Sequence, residues 1–158
     1  MFGKRLSEYL GFQKLILGLL ATVGLARLGL SLAGRPDTTV AWLSMNVVAW
    51  AGALYYGVAV HTKGFGSYKQ ILPLGFFQTV LQQGIAVLGI LLAIGGYSNI
   101  YAAPEFSFGA QSQWIHLLSH LTIGIVVPPF LLWGVASLVL LVTKRVVTRA
   151  PSQRQAIG

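Results

Sequence analysis

Four long apolar runs, roughly 15–32, 40–60, 71–94 and 114–142, constrain this chain more than any other feature. Each is close to or beyond the ~20 residues needed to cross ~30 Å of hydrocarbon at ~1.5 Å per residue. The sequence between them is too poor in charge to coat a soluble surface. Only 9% of the 158 residues are charged, against roughly a quarter in soluble domains. The expected fold is therefore all-α: an integral membrane four-helix transmembrane bundle, forming one domain over residues 1–158 with a basic tail at 143–158.

The net charge of +8 raises nucleic acid as a partner, but its distribution points elsewhere. Lys4, Arg5 and Lys14 precede the first run, Lys63 and Lys69 lie between the second and third, and Lys144, Arg145, Arg149 and Arg154 follow the fourth. Every basic residue except Arg27 and Arg35 thus falls on the side shared by the two termini. Lysine and arginine near span ends set orientation, so both termini are expected in the cytoplasm and the bundle in the plasma (inner) membrane. No basic stripe on a folded polar face remains for nucleic acid. A basic leader followed by Ser31-Leu32-Ala33 resembles a signal-peptidase site, but Arg27 interrupts the apolar region and a retained helix is expected. Cysteine is absent, which excludes disulfides, thiolate metal sites and cysteine-ligated iron–sulfur clusters.

Ala49, Ala53 and Gly57 recur every fourth residue and give the second span a small face where another backbone can approach. Ser67 and Gln70 fit a capping box that opens the third helix, although Pro73 allows a later start. Trp42, Tyr97, Tyr101 and Trp114 fall where an outer aromatic belt is expected. Pro128-Pro129 lacks two N–H groups, which predicts a kink in the middle of the fourth span. The connection 95–113 carries four aromatic residues and no basic ones, so it is expected to be ordered, with Phe106 and Phe108 buried over the outer end.

Ionisable side chains inside a bilayer are costly and therefore candidate functional residues. Counting from the outer span ends places Arg27 ~8 Å deep, Asn46 and His120 ~9 Å, and His116 ~3 Å, so three helices bring polar groups to one outer layer. His116 and His120 share a helix face and suit a transition metal, with Glu105 as the nearest third ligand. Haem is disfavoured by two histidines on the same face. It would require Met45 or a partner chain's histidine as the second axial ligand. A quinone head group suits the residue types better, with Arg27, Asn46, His116 and His120 as hydrogen-bond partners and Tyr101 as part of a lid. The competing reading is structural: Arg27 snorkels outward and the histidines pack. Gln78, Gln82 and Gln83 are assigned to the inner half, with Gln78 and Gln82 bonding between helices.

The leading expectation is a small membrane subunit or anchor of a larger complex, lining a quinone or haem pocket near the outer leaflet. Its partners would be lipid and other membrane subunits, or further copies of itself. A small metal- or cofactor-dependent membrane enzyme using His116 and His120 is the first alternative, and a channel or carrier for a small solute the second. Classical ion-coupled transport is disfavoured because the spans hold no acidic residue. The orientation is directly testable in this cysteine-free chain. Ser7→Cys, Ser67→Cys and Ser152→Cys should resist an impermeant thiol reagent in intact cells while Gln111→Cys reacts, and the reverse pattern would overturn the assignment.

Overall fold

A computed structural model describes residues 2–103 and 112–147. The described residues are all-helical, in the order α1 (Leu6–Leu32), α2 (Asp37–Val40), α3 (Met45–Thr62), α4 (Tyr68–Ile94), a short 3₁₀ turn (Ile100–Ala102), α5 (Gln113–Leu121) and α6 (Ile123–Val146). Four segments are long and apolar enough to cross a membrane: Leu6–Leu32, Asp37–Thr62, Tyr68–Ile94 and Ile123–Val146. This is a membrane protein with four apolar helices.

Local chemistry sets the helix ends. The Arg5 backbone N–H donates to the Glu8 carboxylate at 2.7 Å, so α1 begins well before the apolar run at Leu15. The Ser67 N–H donates to Gln70 Oε1 at 2.8 Å, the capping box expected for the third span, and Pro73 lies inside the helix rather than starting it. Two crossings are less regular than their hydropathy implies. The second is interrupted between Val40 and Met45, where the chain turns and Ser44 is extended.

The fourth apolar run, 114–142, breaks at Thr122 (φ −109°, ψ −86°), upstream of Pro128-Pro129. Both the N–H and the hydroxyl of Thr122 donate to the Leu118 carbonyl, at 3.0 and 2.8 Å. The N–H groups of Ile125 and Val126 then converge on the Thr122 carbonyl, at 3.2 and 3.1 Å, and restart the ladder. The restart at Ile123 places both prolines near the start of α6. They occupy its second turn, and the carbonyls they leave without an i+4 N–H belong to its first.

In the bundle, α4 packs against α1, α3, α5 and α6, and α6 lies against α3 and α4. The core is built from small and polar residues as much as from large apolar ones. Ala49, Ala53, Ala136, Gln13, Gln78 and Thr79 are buried, while Leu15, Leu54, Leu138 and Val142 face outward. Lipid solvates apolar side chains as well as a protein interior does, so close backbone approach and hydrogen bonding hold the helices together. Gly57 shows how close. A Cβ there would lie 2.5 Å from the Val139 Cβ and 2.7 Å from the Ala136 carbonyl oxygen, so α3 and α6 touch at the backbone.

At one end of the bundle, Phe12 stacks on Phe65 at 4.0 Å and Tyr9 meets the edge of Phe65. The His61 Nε2 lies 3.0 Å from the Val147 carbonyl and joins the ends of α3 and α6. Gly57→Ala should lower the thermal unfolding midpoint in detergent by the equivalent of about 1–3 kcal/mol, the usual cost of overpacking. Gly18→Ala, where a Cβ meets nothing within 4 Å, is the control and should not. Equal losses in both would refute close approach as the cause.

Candidate functional site

Tyr101 is the first residue to place, because it closes one wall of the cavity described next. Asn99 anchors the turn that carries it. Its side-chain amide donates to the Gly89 and Tyr97 carbonyls at 2.7 and 2.9 Å, and its oxygen accepts the Tyr101 N–H at 3.1 Å. Ser31 of α1 accepts the Ile100 N–H at 2.9 Å. These contacts seat Ile100–Ala102 in a groove between α1 and α4, where all three residues are buried. The Tyr101 hydroxyl donates to the Gly24 carbonyl at 3.0 Å. Tyr101 therefore does not belong to an interfacial belt. Trp42, Tyr97 and Trp114 are exposed, as a belt requires.

The cavity has a volume of about 440 Å³, within the range of small-molecule sites. Arg27, Asn46, Gln82, Gln83, Ser119, His120 and Tyr101 supply its polar lining, while Met45, Ala86, Ile100, Ile123, Val127 and Pro128 supply apolar walls. The Arg27 guanidinium lies 5.5 Å from the centre of the Tyr101 ring, a cation–π distance. Gln82 Nε2 donates to Asn46 Oδ1 at 2.6 Å and joins α4 to α3 at the mouth, where Asn46 is exposed. Ile123 and Val127 also line the cavity and are exposed, so its apolar wall continues onto the outer surface of the bundle.

His120 of this lining pairs with His116 behind it. His120 Nδ1 is hydrogen-bonded to Gln83 Oε1, and its Nε2 lies 3.1 Å from the Nε2 of His116. Since Gln83 Oε1 can only accept, the proton sits on Nδ1 of His120. A neutral His120 then accepts at Nε2 from the Nε2–H of His116. The pairing comes from helix geometry: residues four apart stand on successive turns of α5. Gln83 reaches His120 because α4 and α5 pack together, and because Gly124 leaves room beside the amide. A Cβ at Gly124 would lie 3.0 Å from it.

Arg27, Asn46, His120 and Tyr101 line one cavity. His116 differs. It is only 1% exposed and lies behind His120 rather than at a headgroup-level rim. Gln82 and Gln83 also differ, since they line this cavity instead of an inner half. Gln83 stands ~17 Å along α4 from Ile94, so the site reaches deeper than the count from span ends places it. Gln78 does bond between helices, through Nε2 to the Ala49 carbonyl at 3.0 Å.

Glu105, Phe106 and Phe108 lie outside the described residues. Among those described, no third His, Cys, Asp or Glu joins His116 and His120. Of the haem pair considered, Met45 and His120 both line the cavity, but the Met45 sulfur packs on α1, where a Cβ at Gly24 would lie 2.4 Å from it. Asn99 and Ser31 are positioning residues that sequence reasoning does not assign to the site, and it assigns Gln83 to the inner half rather than to His120. Asn99 followed by two residues of an Asx-type turn was the one readable signal.

No known family model matches this chain, and no curated protein or solved structure matches it. The site must be read from its own geometry. Tyr101→Phe removes the hydroxyl bond to Gly24 and should cost about 0.5–1.5 kcal/mol of stability. Tyr97→Phe, at an exposed position, should cost nothing measurable in the same detergent melts. A neutral Tyr101→Phe would show that the turn is held by Asn99 and Ser31 alone.

Proposed function

We propose that this chain is a small membrane subunit whose cavity takes the head group of a lipid-soluble quinone. The observation that carries the reading is the joining of polar and apolar walls in a cleft that opens toward lipid, with Arg27, Gln82, Asn46 and His120 around one volume. A quinone offers a flat ring with two opposed carbonyl acceptors and an apolar tail. The Arg27 guanidinium is a permanent donor for one carbonyl, and the Gln82–Asn46 amides or the His120 ring serve the other. Met45, Ile100 and Val127 match the faces of the ring, and the tail leaves between Ile123 and Val127 into the bilayer.

Asn46 adds to the argument. An amide exposed at a lipid-facing mouth is poorly solvated by hydrocarbon, and a bound polar head group satisfies it. Electrons for a bound quinone would come from a partner protein, which makes the chain a subunit or anchor rather than an independent enzyme. In the proposed orientation both termini are cytoplasmic and the cavity belongs to the outer half of the plasma (inner) membrane.

The test uses the full chain in lipid nanodiscs with chelator present, titrated with a short-chain quinone and followed by tryptophan quenching. Saturable binding at one quinone per chain is expected. Arg27→Leu or His120→Phe should weaken it about tenfold or more, the worth of one charge-assisted or buried hydrogen bond. Partitioning no different from that into empty nanodiscs would overturn the reading.

A further inference from the structure

We propose that His116 and His120 form a two-imidazole site for a divalent late first-row transition-metal ion of the zinc class, set in the wall of the cavity. The inference rests on the geometry of α5 and α4 and not on the quinone reading. The two Nε2 atoms stand 3.1 Å apart. Two zinc–nitrogen bonds of ~2.0–2.1 Å meeting at a tetrahedral angle place their nitrogens ~3.3 Å apart. The pair therefore already has nearly the bite that one ion requires, and a single helix holds it.

The surroundings of His120 match those of a ligating histidine. Such residues commonly give their second ring N–H to an oxygen acceptor, which fixes the tautomer and aims the other nitrogen at the metal. Gln83 Oε1 occupies that place at Nδ1 of His120, and Gln83 is itself buried. The Nε2 lone pair of His120 is thereby directed at the Nε2 of His116. For the ion to enter, the Nε2 proton of His116 moves to Nδ1 or is released to solvent, and both nitrogens then present lone pairs.

The ligand set also narrows the ion. Imidazole without thiolate or carboxylate suits zinc, copper(II) or nickel, and not magnesium or calcium, which demand oxygen. Among the described residues no third His, Cys, Asp or Glu stands beside the pair, so those residues leave the ion's remaining coordination positions unfilled. His120 lines the cavity, so those positions face a space that water or an oxygen-bearing guest can fill.

The chain contains three histidines and no cysteine, which makes the experiment clean. Untagged full-length protein in detergent, stripped with chelator, is titrated with zinc chloride by calorimetry and with cobalt chloride by visible absorption. One zinc per chain and the absorption of four-coordinate cobalt are expected, with no binding of magnesium. His116→Gln and His120→Gln, which keep polarity and approximate size, should each lower zinc affinity at least tenfold. Gln83→Leu should lower it by about tenfold, as loss of an outer contact does. His61→Gln, at the Val147 end of the bundle, should change nothing.

Thermal melts establish that each variant is folded, and if one glutamine variant is not, the other decides. No saturable zinc binding, or zinc binding unchanged in a folded His116→Gln or His120→Gln protein, would overturn the site and leave the 3.1 Å contact as a hydrogen bond between two rings. Since quinone binding is measured with chelator present, either result stands without the other.

Discussion

Hydrocarbon offers no hydrogen bonds, and the rest of this structure follows from that fact. The polar side chains of the spans have to find partners in the protein. Gln78 bonds to a carbonyl of α3, Tyr56 to Gln13, Gln82 to Asn46 and Gln83 to His120. Each of these links joins two helices, and together they run through the middle of the bundle. Where the amides bond helix to helix, the backbones come close and small residues fill the seams. Where they spread apart around Arg27, a cavity is left.

The same constraint explains why so many large apolar residues face outward. Leu15, Leu54, Leu138 and Val142 lose nothing by meeting lipid. Burying Gln13 and Gln78 while exposing leucine inverts the usual arrangement of a water-soluble core. It leaves specificity with a few polar contacts and close glycine positions such as Gly57. The cavity belongs to this design, because its polar wall continues the amide series and its apolar wall joins the surface of α6 to Met45, Ala86 and Ile100.

Features carried by local residue patterns were legible in the sequence. The four crossings follow from run length, the start of α4 from Ser67 and Gln70, and the shared face of His116 and His120 from their spacing. Counting depth along separate helices puts Arg27, Asn46 and His120 in one layer, and all three line the cavity, which extends deeper than that count. Features decided by tertiary contacts were not legible. Tyr101 reads as an interfacial aromatic until Asn99 and Ser31 are seen to seat its turn between α1 and α4. Gln83 reads as an inner-half amide until α5 is found against α4. Prolines point to an irregularity in the fourth span, but its position at Thr122 depends on which carbonyls that residue's N–H and hydroxyl take up.

That break has a mechanical meaning. A continuous helix resists bending along its whole length, whereas α5 and α6 are two rods in series with a joint at Thr122. The joint lies beside the cavity wall formed by Ile123, Gly124 and Val127. When bilayer thickness changes, a crossing accommodates the mismatch by tilting or kinking, and the compliant point takes most of the deformation. In this bundle that joint is next to His120 and the cavity wall, so a change in the angle between α5 and α6 would reshape the cavity.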